Sequence, residues 1–304
     1  MPLILNSDNY YSLEADREYM SCSQYQDFLS CEARAMAKLK GKFTPKKSEA
    51  LTVGNYFHTA LESEEAHAAF CEANFDDIYK TSVSKKTGEI TVTGKYAPYV
   101  TADGMIQACY DDPLISSLIY MPGENEVIMT GQIFGVPWKI RLDKYMADKR
   151  LIIDWKTTAN INKTEYNPII GERESFIEGL GYMMRAAVYT EIEKQYTGNS
   201  TDADFVIIAV SKEDPPDKGA FSLNHRQRYD WELEQIKERL GRIMQVKNRV
   251  VAPKRCGVCD YCRSTKKLKK IVPYYTLNPR FREEREVEYD DFSPGNLEDS
   301  QKEI

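Results

Sequence analysis

The stretch Leu151-Ile152-Ile153-Asp154-Trp155-Lys156-Thr157-Thr158 decides how this chain is read. Leu151-Ile152-Ile153 is an apolar run rich in β-branched residues, which predicts a buried strand. Asp154 and Lys156 stand two residues apart on it, so both side chains point to the same face. Polar groups at the end of a buried strand need a reason, because a buried charge is costly unless something compensates it.

Upstream, Val127-Ile128-Met129-Thr130-Gly131-Gln132-Ile133-Phe134 predicts a strand entered at Glu126. Gly135-Val136-Pro137 predicts a tight turn. From Trp138 to Met146 the pattern alternates, with Trp138, Ile140 and Leu142 on one side and Lys139, Arg141 and Asp143 on the other. Asp148-Lys149-Arg150 turns the chain again, which makes a meander of three strands. If the second and third strands pair, Asp143 sits beside Asp154. Helices are predicted over 22–40, 50–72 and 100–120, and the polar segment 81–95, with its Lys85-Lys86-Thr87-Gly88 turn, reads as a loop or hairpin. Downstream, a polar stretch precedes a long helix over 175–196. Phe205-Val206-Ile207-Ile208-Ala209-Val210 is apolar enough for the middle of a sheet, and a charged helix covers 226–250. The order helix, three strands, helix, strand, helix predicts an α/β fold: a central mixed sheet flanked by helices, with the site at one sheet edge.

Two carboxylates and a lysine on one face suit phosphodiester hydrolysis. Hard divalent cations such as Mg²⁺ take oxygen ligands, often one or two carboxylates plus substrate phosphate. Such an ion polarises the phosphate and acidifies water. The lysine can hold the attacking water and offset charge building on phosphorus. Taken singly, an Asp beside a Lys on a strand is a surface ion pair worth little.

Arg141-Leu142-Asp143-Lys144 followed by Asp154-Trp155-Lys156-Thr157-Thr158 resembles the paired motifs of PD-(D/E)XK nucleases, a restriction-endonuclease-like core. Within them the likeness is to RecE-like phage and prophage exonucleases and their RecB-type relatives. The resemblance implies that Asp143 and Asp154 bind metal and that Lys156 completes the catalytic set. The second acid is Asp rather than Glu, as in RecB-type members. Gly54-Asn55-Tyr56-Phe57-His58-Thr59-Ala60-Leu61-Glu62 resembles the upstream helix motif whose His ligates the metal, which implies that role for His58. Glu126 resembles an acidic position that assists in some members. Tyr182-Met183-Met184-Arg185-Ala186-Ala187-Val188-Tyr189 resembles the helix after the catalytic strand, which implies DNA positioning by Tyr182, Arg185 and Tyr189. Arg185 replaces a common Gln and can still reach a phosphate. Alternatively, the two tyrosines form a core face.

The chain has seven cysteines, an odd count, and no recognisable export signal. Metal ligation is the better reading for clustered thiols here. Cys256, Cys259 and Cys262 have a spacing that converges on Zn²⁺ or an Fe–S cluster, with one ligand missing. Ser23-Gln24-Tyr25…Cys31 resembles the segment that supplies the first cluster cysteine in RecB-type nucleases with a [4Fe–4S] centre, which implies Cys31 as the fourth. The last gap is shorter here, and free thiols, cluster and zinc stay open. Cys22, Cys71 and Cys109 read as packing residues.

The 304 residues are 42% hydrophobic and 29% charged, the balance of a soluble globular protein. No apolar run reaches membrane-spanning length, and a cytoplasmic location is expected. The net charge of −6 neither suggests nor excludes nucleic acid, but Lys247, Arg249, Lys254, Arg255, Arg263, Lys266, Lys267, Lys269 and Lys270 form a basic stretch. With Lys139, Arg141 and Lys144 they are candidate phosphate contacts. One nuclease domain over 1–272 is expected: helices over 20–72, core 126–250, Cys-rich basic segment 251–272, then an acidic tail, 273–304. Resemblance to RecE implies Mg²⁺- or Mn²⁺-dependent exonuclease action on double-stranded DNA ends, 5′ to 3′. It also implies hand-over of product to a RecT-like single-strand annealing protein, and a homo-oligomer. Two other classes stay open: a catalytically silent DNA-binding module of the same fold, and a zinc- or Fe–S-stabilised interaction protein.

Overall fold

The computed structural model describes residues 3–168, 171–268, 271–278, 280 and 287–289. In chain order come α1 (Leu13–Glu18), α2 (Cys22–Ser30), α3 (Glu32–Leu39), α4 (Glu49–Glu62), α5 (Glu64–Ala73) and α6 (Phe75–Ile78). A hairpin of β1 (Tyr79–Val83) and β2 (Ile90–Lys95) follows, then α7 (Ala97–Asp111) and α8 (Pro113–Tyr120). The meander is β3 (Glu124–Ile133), β4 (Val136–Met146) and β5 (Leu151–Thr158). After the short strands β6 (Glu165–Asn167) and β7 (Glu172–Glu174) come α9 (Phe176–Gly179), α10 (Tyr182–Thr197), β8 (Asp204–Ser211) and β9 (Lys218–Ser222). The chain continues with α11 (Arg226–Lys247), α12 (Asp260–Ser264), β10 (Lys266–Leu268) and β11 (Val287–Tyr289).

These elements divide into two compact units: Met1–Cys22 with Pro45–Arg239, and Ser23–Thr44 with Leu240–Ile304. The first holds a mixed five-stranded sheet ordered β3-β4-β5-β8-β9. β5 and β8 pair in parallel, so the chain must cross over between them, and α10 is that crossover. β8 lies inside the sheet and is almost wholly buried, which is why its sequence is a continuous apolar run. On one face, Ile153 and Trp155 of β5 join Phe57 and Leu61 of α4 and Met105 and Cys109 of α7 in one core. Side chains alternate along a strand, so Asp154 and Lys156 face the other way. The crossover helix α10 packs against β3, β4 and β8.

In the second unit, Cys31, Ala33, Ala37, Tyr261 and Cys262 form a small core with Phe43 against it. Glu32 takes two hydrogen bonds from Arg242, at 3.0 and 2.9 Å, and another from the Lys254 backbone at 2.6 Å. Those bonds fix the approach to Cys256. Burial works against the Glu32 charge, but these donors win and hold its carboxyl below the usual range.

Several predicted helices are pairs. Cys31 is extended and separates α2 from α3. Ser63 ends α4 and caps α5 by accepting from the Ala66 backbone. Asp112 caps α8 through Leu114 and Ile115. Gly181, left-handed at φ 72°, separates α9 from α10. In each case an apolar pattern continues across a capping residue, and periodicity alone does not mark the break. The turn after β3 is Phe134-Gly135, both at positive φ, as a two-residue hairpin requires; Val136 and Pro137 already belong to β4. Lys269, Lys270 and most of the acidic tail lie outside the described residues. Among those described, no helix is long and apolar enough to cross a membrane.

Candidate active site

β4 and β5 pair through three positions only: Met146 with Leu151, Tyr145 with Ile152, and Lys144 with Ile153. Beyond that the ladder stops, and the Asp143 carboxylate accepts the Trp155 backbone N–H at 2.9 Å. Asp143 is thus fixed beside Asp154 by a side chain standing in for a ladder bond. On its other side β3 pairs with β4 at Asn125–Lys144 and at Val127–Leu142, so Glu126 falls opposite Asp143. Glu126 itself has φ 58° and makes no ladder pair. The three acids therefore form one row across β3, β4 and β5, running inward from the edge strand β3.

Lys156 stands among them. Its ammonium is 2.5 Å from Asp154 Oδ2 and 3.6 Å from Asp143 Oδ2, and it donates to the Trp155 carbonyl at 2.9 Å. His58, on α4, places Nδ1 3.4 Å from Asp143 Oδ2. Burial lowers the His58 pKa, as does the Lys156 charge, while Asp143 opposes them. The imidazole is therefore neutral at neutral pH, the form that can ligate a metal. Burial raises the Asp143 pKa, but Lys156, His58 and the Trp155 N–H outweigh it and keep the carboxyl low. Glu126 behaves oppositely. Burial, Asp143 and Glu62 push it up to about 7 in spite of its ion pair with Arg141.

α10 closes the other side. Arg185 Nη1 lies 3.9 Å from Asp154 Oδ1, and its guanidinium rests near the rings of Tyr182 and Tyr189, 5.8 and 5.7 Å from their centroids. The Lys156 ammonium is 5.5 Å from the Tyr182 ring centre. α10 is held by a second network: Arg150 and the Tyr145 hydroxyl both donate to Glu193, which is fully buried.

The structure thus brings together His58, Glu126, Asp143, Asp154, Lys156, Tyr182, Arg185 and Tyr189. It does not leave Lys139 or Lys144 available for phosphate. Lys139 is buried on Asp16 and the Tyr10 carbonyl, and Lys144 is buried on the Ile119 carbonyl. Alternation along β4 put Lys139 on the polar side, but the N-terminal segment covers that side: Tyr10, before α1, accepts from Lys139, and Met20, after it, bridges to Trp138. Arg141 is engaged by Glu126 and lies over the rings of Tyr10 and Tyr11. The residue overlooked in the sequence is Glu62. It follows His58 by four on α4, hence on the same face. Its pKa is raised by burial and by Asp143 in spite of Arg141.

The donor set fits a hard divalent cation. Asp154 Oδ2 and Glu126 Oε2 are buried with no hydrogen-bond donor in good geometry, their close neighbours being the cations Lys156 and Arg141. Buried carboxylate oxygens short of donors beside a neutral imidazole are what such an ion takes up.

Cys31, Cys256, Cys259 and Cys262 are a separate centre, within the second unit. Among the described residues they form the one group of potential metal donors whose ligand atoms all lie within 4.8 Å of one another. None is in a disulfide. Cys31 and Cys262 sulfurs are 3.6 Å apart, and Cys256 and Cys262 sulfurs 4.0 Å. Burial raises the Cys256 thiol, but the Val258 and Cys259 N–H groups bring it down to about 7. Burial pushes Cys259 up to about 12.

The sheet, its crossover helix and the D-x-K strand are those of the PD-(D/E)XK class. Residues 21–265 match the family described as a PDDEXK-like domain of unknown function (DUF3799), and the chain belongs to that family. A crystal structure from Eubacterium rectale, of a protein named "putative exonuclease", is 34% identical with a TM-score of 0.79. The similarity covers 91% of this chain and 99% of that one. A second structure, that of SSO0001, is 11% identical over 85% of this chain and 95% of its own, with a TM-score of 0.32, too remote to bear on the argument. No curated protein matches the chain.

Proposed function

We propose that the protein is a divalent-metal-dependent deoxyribonuclease acting at the ends of double-stranded DNA. The observation that carries this reading is the row Glu126, Asp143 and Asp154 with Lys156 set among the carboxylates and a neutral His58 beside them. Support for exonuclease rather than internal cleavage comes from the name of the Eubacterium rectale relative.

Asp143, Asp154 and His58 would hold Mg²⁺ or Mn²⁺, with Glu126 able to join them once ionised. Bound there, the cation would supply Lewis-acid polarisation of the scissile phosphate. Lys156 is placed to hold the attacking water and to offset charge growing on phosphorus. The water adds to phosphorus as the P–O ester bond breaks, and the departing oxygen takes up a proton. Arg185 offers a planar fork to a phosphate oxygen. The rings of Tyr182 and Tyr189 lie near that fork and favour its charge without adding one of their own. The intact Asp143, Asp154 and Lys156 set speaks against a catalytically silent module.

We extend the RecE likeness to a 5′-to-3′ direction, a homo-oligomer and a RecT-like annealing partner for the single-stranded product. The test is digestion of end-labelled linear duplex with Mg²⁺: label released from the 5′ end first supports this direction, and release from the 3′ end first rejects it.

For the cysteine centre we propose one tetrahedral Zn²⁺. With Zn–S bonds of about 2.3 Å, sulfurs at tetrahedral corners lie about 3.8 Å apart; the Cys31–Cys262 and Cys256–Cys262 separations bracket that value, and all four sulfurs lie within 4.8 Å of one another. A four-iron cluster would have to stand between its thiolates and spread them further. Stoichiometric zinc by elemental analysis supports this reading, and iron with visible charge-transfer absorption overturns it.

A further inference from the structure

The β1–β2 hairpin has no place in the site just described. Its strands run antiparallel, with Thr81 opposite Val92, Ser82 opposite Thr91 and Val83 opposite Ile90. Alternation puts Thr81, Val83, Ile90 and Val92 on one face. Val83, Ile90 and Val92 are 62%, 66% and 47% exposed, and both faces of the ribbon stand in solvent beyond its first residue. An isolated two-stranded hairpin is marginal in water, so this one is organised by its root or by what it binds.

The root is firm. Ile78 is fully buried, and the Tyr96 N–H donates to its carbonyl at 2.9 Å. Lys95 donates to the Tyr56 hydroxyl at 2.7 Å and to Asp103 at 2.8 and 3.0 Å. Tyr56 lies on α4, two positions before His58. The ribbon lies between α6 and α7 in the chain, and Lys95 at its root ties it to the helix that carries a residue of the candidate metal site.

The ribbon is also basic. Lys80, Lys85 and Lys86 face one acid, Glu89, along its length. Among the described residues neither Lys85 nor Lys86, at the tip, has a carboxylate partner. Two strands lie about 4.8 Å apart, and a two-stranded ribbon enters a major groove about 12 Å wide.

We propose that the Tyr79–Lys95 ribbon is a duplex-gripping arm: Lys85 and Lys86 contact phosphates, and the Val83, Ile90 and Val92 face lies against sugars and base edges. The assignment rests on the DNA reading above. It explains an apolar strip left uncovered beside cations, which a second copy of the same basic ribbon would fit poorly. The arm holds substrate and takes no part in the chemistry.

The experiment measures duplex binding by the full-length protein across a salt series without divalent metal, for wild type, Lys85→Ala/Lys86→Ala and Val83→Ser/Ile90→Ser. The lysine variant is expected to bind about tenfold more weakly, with a log–log salt slope shallower by about 2. The apolar variant is expected to weaken binding several-fold at unchanged slope. Metal-dependent cleavage of a dinucleotide, too short to reach the arm, should match wild type in both. Wild-type binding and slope in both variants would overturn the arm, as would a changed sedimentation coefficient with DNA binding intact, which would mark a self-association surface. A wild-type protein that cuts DNA while both variants bind normally rejects the arm alone. A wild type that neither binds nor cuts rejects the arm together with the reading beneath it.

Discussion

The Trp155 backbone N–H donates to the Asp143 carboxylate at 2.9 Å, at the point where β4 and β5 stop pairing. One oxygen of Asp143 thus does structural work, and the same oxygen faces His58 and Lys156. Asp143→Asn keeps an acceptor for Trp155 but removes the charge. Hydrolysis is expected to fall by on the order of 10²–10³-fold, the scale of losing one aimed charge-stabilising group, with the melting temperature little changed. Single-turnover kinetics beside a thermal melt check this; activity within threefold of wild type would rule out a metal role for Asp143.

Glu126 gives a pH signature in metal-free protein. The folded state holds its proton up to about 7, against an ordinary 4.5. Its contribution to stability is complete below 4.5 and is lost as pH rises through about 7. The metal-free melting temperature is therefore expected to drop between pH 5 and 8, and Glu126→Gln should flatten that drop. Parallel wild-type and variant curves would show that Glu126 is not the titrating group.

Glu62 shares a face of α4 with His58 and adds negative charge near Asp143 and Glu126. Glu62→Gln is expected to weaken Mg²⁺ binding 10–100-fold, as loss of a group supporting metal ligands commonly does. Activity at saturating Mg²⁺ should recover. Calorimetric titration reads the affinity directly, and an unchanged dissociation constant would exclude Glu62 from the site's electrostatics.

Glu193 is fully buried and accepts from Arg150 and Tyr145. Glu193→Ala leaves the Tyr145 hydroxyl without its acceptor and takes the carboxylate from Arg150, which keeps its bonds to Thr201; the expected cost is about 1–3 kcal/mol. Urea unfolding checks the value. A loss below 1 kcal/mol would mean that α10 is held to the sheet by its apolar face alone.

The parts of the site that lie on one element were legible in the sequence. Asp154 and Lys156 share a strand face, and Tyr182, Arg185 and Tyr189 share a helix face, because those periods are local. The row linking Glu126 to Asp143 depends on strand register, which sequence suggests only through turn length. The fate of Lys139 was not legible: alternation placed it on the polar side, and a segment 129 residues earlier, at Tyr10, covers it. Cys31 joined Cys256–Cys262 through resemblance alone, since no local period spans 231 residues. Helix ends were blurred wherever a capping Ser, Asp or Gly sat inside a continuing apolar pattern.

The most direct measurement compares wild type with Lys156→Ala on linear and covalently closed duplex DNA, with Mg²⁺ and with chelator. The account predicts that wild type degrades linear duplex only when Mg²⁺ is present, leaves closed circles intact, and that Lys156→Ala is inactive while retaining the wild-type fold. Equal activity in the two proteins, or none in either, would contradict it.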